Sequence, residues 1–297
     1  MKFNYLMLGI SSVFYIFAAS AMEKQLPSQL PDRSDEVLRI MTYNIRRAGQ
    51  EKKEERLWHK RLPLVKALIE RINPDIMGLQ EATAEQIDAL RNAFPQFDFF
   101  SQGRGASWWG WGTDEHTPLF YDKNKFTLLE HGTFSINPPK GYFGWTPLNV
   151  TQTGWLPRIC TWGKFKDNTT NKEFYVYNTH LDHSYQSARL SELQVIKDDI
   201  MKRAQNLPVV LMGDFNTEFN NELQNIIPSF TLAKNKAKHT FGPQETRTGW
   251  DDDELKSIDH ILINDLISVK NYGVIAKGDG PYPSDHRPVI ADISLRK

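Results

Sequence analysis

Six times along this chain a short apolar run gives way to a cluster of polar, chemically capable side chains. The clusters are Tyr43-Asn44-Ile45, Leu79-Gln80-Glu81, Asn178-Thr179-His180-Leu181-Asp182, Gly213-Asp214-Phe215-Asn216, Ser257-Ile258-Asp259-His260 and Ser284-Asp285-His286-Arg287-Pro288. Short apolar runs bounded by turn signals read as strands buried on both faces. Strand ends at one edge of a sheet can converge on one cleft, and the loops there commonly carry function. The pattern therefore predicts a sheet-centred fold with a polar site at one edge.

Strands are expected over 37–43, 76–80, 159–165, 174–179, 209–212, 258–263, 269–275 and 289–295. Between Leu62 and Ile72, the residues Leu64, Val65, Leu68, Ile69 and Ile72 form an amphipathic stripe, stopped by Asn73-Pro74-Asp75. Thr83 with Gln86 three residues later is a capping box opening a helix to about Phe94. A third helix over 187–204 places Leu190, Leu193, Ile196 and Ile200 on one face. The charged stretch from Arg46 to Lys60 reads as a solvated loop or helix start. Several strands follow one another without helices between, which predicts a layered α/β fold with mixed sheets. No repeat or composition shift divides residues 37–297. With 40% hydrophobic residues in 297, the chain can bury a sizeable core without staples. Its single cysteine, Cys160, cannot form an internal disulfide and reads as a small buried side chain.

The chemical inventory of the clusters is carboxylates, amides and imidazoles. Hard oxygen donors with few nitrogens suit Mg²⁺ or Mn²⁺. No His-Glu-x-x-His helix, Cys-x-x-Cys pair or Walker loop is present. Singly, each cluster is weak: an Asp after a strand is commonly a turn former, and Asp251-Asp252-Asp253-Glu254 reads as a solvated charge run. The ordered set carries the argument.

That set resembles the endonuclease/exonuclease/phosphatase superfamily of DNase I-like enzymes. The resemblance runs from about Leu38 to Ile293. Pro157-Arg158-Ile159-Cys160-Thr161-Trp162, the stretch from Glu115 to Tyr121 and His239-Thr240-Phe241-Gly242 lean toward a bacterial branch near the deadenylase-like members. The resemblance implies a four-layer α/β sandwich, with two central mixed β-sheets flanked by helices. It implies Glu81 as principal metal ligand, supported by Asn44 and Asp285, with Mg²⁺ or Mn²⁺ as cofactor. Asp214 would activate the attacking water and Asn216 would hold that water or the phosphate. Asp259 would fix His286, which with His180 and Arg158 would bind phosphate oxygens. A second ion on Asp214, Asn216 and His286 stays open. The substrate expected first is nucleic acid or a nucleotide, through nuclease or phosphodiesterase action. A phosphatase or phospholipase acting on inositol phosphates or sphingomyelin is the alternative. A non-catalytic binding module is a third reading. No obligate protein partner is indicated.

The first 21 residues read as a signal peptide: Lys2, an apolar stretch from Leu6 to Ala18, then Ala19-Ser20-Ala21. An uncleaved anchor is the alternative, because Phe3 to Met22 carries no charge. Residues 22–36 read as a linker and 37–297 as the catalytic domain. The expectation is an exported protein, periplasmic or secreted if bacterial, with no stable membrane span after cleavage. Without Lys2 the chain has 35 basic and 36 acidic residues, which disfavours bulk binding of long nucleic acid. Two long loops, Gln102–His116 and Asn137–Pro157, are rich in Gly and aromatics. Trp108, Trp109, Trp111 and Trp145 in them are candidates for stacking a base or sugar, or for packing on one another. The Trp108-Trp109-Gly110-Trp111 run departs from the polar stretch that family relatives tend to have there.

Overall fold

The computed structural model describes residues 30–31, 37–105, 114–137, 156–276 and 280–296. The stretch read as a leader, nearly all of the stretch read as a linker, and Trp108, Trp109, Trp111, Tyr142, Phe143, Trp145 and Trp155 lie outside the described residues.

Strands form where the apolar runs predicted them: β1 (Leu38–Asn44), β2 (Ile76–Gln80), β6 (Ile159–Asp167), β7 (Glu173–His180), β8 (Val209–Asp214), β11 (Asp259–Asn264), β12 (Ile267–Val274) and β13 (Val289–Leu295). Five more were not foreseen: β3 (Phe97–Phe100), β4 (Leu119–Asp122), β5 (Phe126–Ser135), β9 (Phe230–Leu232) and β10 (Ala237–Phe241). β3, β4 and β9 are apolar but only three or four residues long, too short for a periodic signal, and β5 and β10 are largely exposed. Two sheets result. One has the order β10-β12-β13-β1-β2-β4-β3, the other β5-β6-β7-β8-β11-β9.

Alternation along the strands builds three apolar layers. Ile40, Ile76, Val176, Val210, Met212 and Ile261 fill the space between the sheets. Met41, Tyr43, Met77 and Leu79 face the other way, against α1 (Trp58–Ile72) and α2 (Ala84–Ala93). Tyr175, Tyr177, Val209 and Leu211 face α3 (Gln186–Arg203) and the short α4 (Asn221–Ile226). One-turn α5 (Ala233–Lys236) links β9 to β10. The architecture is the expected helix–sheet–sheet–helix sandwich. The capping box at Thr83 and Gln86 is formed. Helix α1 starts at Trp58, ahead of the apolar stripe, because buried Trp58 anchors its first turn. Among the described residues, no helix is long and apolar enough to cross a membrane.

The sheets approach closely beside the site. A Cβ on Gly78 would lie 2.6 Å from the Met212 methyl and 2.7 Å from the Asn178 side chain. Across that approach Gln80 Nε2 donates to Asn178 Oδ1 at 2.6 Å, and Asn178 Nδ2 donates to the Leu79 and Pro118 carbonyls at 2.9 Å each. Two motif residues thus act as a buried polar clasp between the sheets.

Candidate active site

Topology alone brings the clusters together. β1 and β2 are parallel, so their C-terminal ends meet with Asn44 opposite Gln80. β13 returns antiparallel to β1, with Val289 opposite Thr42. The preceding Ser284-Asp285-His286 segment therefore arrives beside Asn44, and Ser284 Oγ donates to the Asn44 carbonyl at 2.7 Å. In the second sheet a single rung carries three residues, His180 opposite Asp214 and Asp214 opposite Asp259. Gly213 has φ +149°, and a Cβ there would strike the Thr179 carbonyl at 2.0 Å. Only glycine permits that pairing one residue before Asp214.

Asn44 joins the halves. Its Nδ2 donates to Glu81 Oε1 at 3.1 Å and to Asp214 Oδ2 at 3.0 Å. His180 Nε2 and His286 Nε2 approach the same Asp214 oxygen at 3.6 and 3.8 Å. His286 Nδ1 lies 2.8 Å from Asp259 Oδ2, which also accepts from Thr246 Oγ1 at 2.6 Å. Asn216 turns back into the protein: its backbone N–H donates to Asp214 Oδ1 at 2.8 Å and its Nδ2 to the Leu181 carbonyl at 3.0 Å. Its amide nitrogen is thus engaged in orienting the Asp214 loop. Arg158 lines a pocket with Glu81 and His180. Every residue read from the sequence as a site residue is therefore at or beside one cleft.

Burial and neighbouring charge set the protonation states. Burial opposes charge on His286, but Asp259, Asp214 and Asp285 outweigh it and push the imidazole up to about 10. Burial and the nearby Asp259 raise the Asp214 carboxyl to about 7, against the pull of His286 and the Asn44 and Asn216 donors. Burial, followed by the Arg158 guanidinium, holds His180 well below its ordinary value, so it is neutral. Burial works against ionising Glu81, but Arg46, Asn44, His286 and the Arg47 N–H together keep its carboxyl low.

Two groups of side chains have the chemistry to hold a cation. Arg46 Nη1 lies 3.8 Å from Glu81 Oε2 and 3.6 Å from Asp285 Oδ2. Two carboxylates from distant parts of the chain thus converge around positive charge. With Asn44 beside them they form an oxygen-rich set that fits a hard divalent ion. In the second group, Asp214, Asp259 and His286, the candidate ligand atoms lie within 4.8 Å of one another. A charged imidazole has no lone pair for a metal, so this group fits better as a carboxylate–imidazole relay. Arg46, Glu81 and Asn216 all adopt left-handed backbone, with φ of 54°, 57° and 52°. Non-glycine residues hold that conformation only where surroundings impose it, as they often do at functional sites.

The sequence of residues 41–286 matches the model of the Endonuclease/Exonuclease/phosphatase family. The chain belongs to that family. With membership comes the class of chemistry, hydrolysis of phosphoric esters. Among solved structures, the mannosyl-6-phosphatase Bt3783 of Bacteroides thetaiotaomicron is similar at TM-score 0.73 and 27% identity, over 87% of this chain and 100% of its own. An endonuclease/exonuclease/phosphatase of Bacteroides vulgatus is similar at TM-score 0.77 and 29% identity, over 88% of this chain and 99% of its own. The human Nocturnin catalytic domain, solved with a bound sulfate, shares the fold at TM-score 0.69 and 18% identity, over 89% of this chain and 96% of its own.

The family motifs did not reveal everything at the cleft. Arg46 and Arg47 were expected in a solvated stretch, yet they fold over Glu81, with the Arg47 N–H 3.3 Å from Glu81 Oε2. Arg104 and Glu115 also line the Arg158 pocket. Arg104 sits beside no motif, and although Glu115 opens the stretch that leans toward the bacterial branch, their pairing across the loop between them leaves no local pattern.

Proposed function

We propose that this protein is an exported phosphatase, dependent on Mg²⁺ or Mn²⁺, that hydrolyses small phosphomonoesters such as sugar phosphates. The observation that carries the reading is the pocket beside Glu81, where Arg104, Arg158 and His180 surround a space suited to a compact anion. The Bacteroides phosphatase supports it at 27% identity over its whole length. Nucleic acid was the substrate expected first from the motifs. The near-zero net charge and the compact pocket move phosphomonoesters ahead of it.

Glu81 and Asp285, with Asn44 between the sheets, would hold the cation. When bound, it neutralises phosphate oxygens and stabilises the leaving oxygen. Asp214 takes a proton from the attacking water, a task suited to a carboxyl titrating near neutrality. A bond forms from water oxygen to phosphorus as the ester P–O bond breaks. The leaving oxygen takes up a proton from solvent and Asp214 returns its proton to solvent, so the products are an alcohol and inorganic phosphate. His286, kept charged by Asp259, donates to a non-bridging oxygen, and neutral His180 and Arg158 add donors to the same group. Asn216 keeps the Asp214 loop in place.

The test is the protein lacking residues 1–21, with Asp214→Asn as control. It is assayed with Mg²⁺, Mn²⁺ or chelator on mannose 6-phosphate, other sugar phosphates, RNA, DNA, phosphoinositides and sphingomyelin. Metal-dependent release of inorganic phosphate from sugar phosphates supports the proposal. Shortened oligonucleotides without phosphate release from monoesters would replace it with nuclease action. Export is tested by sequencing the N-terminus of the protein recovered outside the cytoplasm, where Met22 is expected first.

A further inference from the structure

The pocket next to Glu81 is lined by two guanidiniums, Arg104 and Arg158, and two carboxylates, Glu81 and Glu115, and the guanidiniums are not evenly paired. Arg158 is 3% exposed, and its Nη2 meets only the neutral ring nitrogen Nδ1 of His183, at 3.1 Å. Its Nε is buried without a hydrogen-bond partner. Among the described residues no carboxylate lies within 4.0 Å of this guanidinium. The Arg104 side chain is 5% exposed, and its Nη2 is paired with Glu115 Oε1 at 2.8 Å. Its Nε too is buried and unpartnered. The same Glu115 oxygen also serves Arg47 Nη1 at 3.2 Å, while Glu81 faces Arg46 and the cation site.

Buried cations are ordinarily paired, because removing a charge from water without a counter-charge is strongly unfavourable. Glu115 is shared by Arg104 and Arg47, and Arg158 has no carboxylate within ion-pair distance among the described residues, so both pocket guanidiniums keep capacity for an anion. Arg158 and His180 provide donors enough for one phosphate oxygen in any phosphoester. Arg104, held by Glu115, adds a second guanidinium to the same pocket. A phosphodiester brings one negative charge, whereas a terminal phosphate carries about −1.5 to −2 at neutral pH and three strong acceptor oxygens.

We propose that Arg104, braced by Glu115, is a specificity-determining residue that reads the second negative charge of a terminal phosphate and so selects monoesters over diesters. The proposal rests on the phosphatase reading above and names the device behind it. Glu115 fixes one edge of the guanidinium, and the backbone holds the pair in register, with the Arg104 N–H donating to the Glu115 carbonyl at 3.0 Å. The fork is thereby oriented before substrate arrives, which lowers the entropic cost of using it.

The experiment compares Arg104→Met and Arg104→Lys with the wild-type mature protein in Mg²⁺. It reads kcat/KM on p-nitrophenyl phosphate and on bis(p-nitrophenyl) phosphate, and the dissociation constant of inorganic phosphate by calorimetry. Loss of one charge-assisted contact predicts a fall of about 10- to 100-fold on the monoester for the Met variant. The Lys variant should recover only part, because an ammonium lacks the planar fork. Diester turnover should fall several-fold less than monoester turnover, and phosphate affinity should fall in parallel with monoester turnover. Equal losses on both esters would overturn the proposal. If the wild type hydrolyses neither ester, the phosphatase reading fails, and Arg104 is judged by phosphate binding alone: unchanged affinity in the Met variant sinks it. Should the Met variant not fold, Glu115→Gln replaces it, with a smaller loss expected in the same direction and no selective loss counting against the proposal.

Discussion

The Asn44 side chain donates across the gap between the two sheets to Asp214, Nδ2 to Oδ2 at 3.0 Å. One residue ends a strand of the seven-stranded sheet and the other a strand of the six-stranded sheet. The same nitrogen holds Glu81, so a single amide sets the distance between the proposed cation site and the proposed base. Asn44→Ala should lower kcat on the order of 10²-fold, because small misplacement of reacting groups is costly. It should also destabilise the fold by about 1–3 kcal/mol, the cost of unpairing buried polar groups. Steady-state kinetics and urea unfolding check both, and normal turnover in the variant would remove Asn44 from the site.

Asp259 acts on the reaction through its neighbours, chiefly by holding His286 charged and also by raising the Asp214 carboxyl. It lies in the core of the site, bonded to the imidazole and to the Thr246 hydroxyl. Asp259→Asn keeps the shape and the Thr246 contact but removes the charge that favours the imidazolium. Turnover is expected to fall on the order of 10²-fold or more, since a donor aimed at developing charge is lost, with KM changed little. The ring N–H proton resonance of His286 should move or vanish in the same variant. A variant with an unaltered resonance and ordinary kcat would show that the pair is structural.

The convergence of Glu81 and Asp285 on Arg46 predicts a stability linkage to metal. A ligand at about 100 times its Kd stabilises the native state by about 2.7 kcal/mol. Saturating Mg²⁺ should raise the wild-type Tm, and chelator should reverse the rise. In Glu81→Gln the shift should disappear, because the neutral amide is a far weaker partner for a hard cation. A Tm response preserved in Glu81→Gln would transfer the ion to the Asp214, Asp259 and His286 group.

Arg61 has no contact with the proposed reacting groups, yet it holds the segments that carry them. Fully buried, it donates to the carbonyls of Arg56, Ile45, Pro283 and Arg46 at 2.7, 2.6, 2.9 and 2.8 Å. Ile45 and Arg46 follow Asn44, and Pro283 lies two residues before Asp285. Arg61→Met would leave these buried acceptors unpaired and destabilise the protein on the order of 3–5 kcal/mol. Arg61→Lys should rescue little, because one ammonium cannot reach the places of a planar fork. Urea unfolding of the two variants decides, and a loss below about 1 kcal/mol would contradict the role.

The residues legible in the sequence are those whose position is dictated by strand ends. Glu81, His180, Asp214 and Asp259 each close or open a run of buried apolar residues, so periodicity and motif order located them together. Strand β5 escaped notice because most of its side chains are at least partly exposed, leaving no apolar alternation to see. Arg61 looks like any charge on an amphipathic helix, since its four carbonyl partners come from elsewhere in the chain. Gln80 and Asn178 were inside recognised motifs, but their clasp depends on how closely two sheets approach, which no single strand encodes. The pairing of Arg104 with Glu115 was unreadable for the same reason: an ion pair across a long loop has no period.

Buried His260 predicts how stability responds to acid. Its Nε2 lies 2.9 Å from the Thr217 carbonyl, and its ring packs edge-on against Phe215 and Phe219. Burial is the chief influence and lowers its pKa from 6.5 to about 4, against the Thr217 carbonyl and Asp259, which favour charge. The native state thus keeps this ring neutral while the unfolded chain protonates it near pH 6.5. Between those values the unfolded state binds more protons, so stability is full above pH 6.5 and falls as pH drops toward 4. At pH 5 the loss from this group is about 2 kcal/mol relative to pH 7. His260→Gln cannot titrate but can still donate to the carbonyl. Urea unfolding at pH 7 and pH 5 should therefore show a smaller acid loss in the variant than in the wild type. Equal acid losses in the two proteins would mean that His260 is protonated in the folded state.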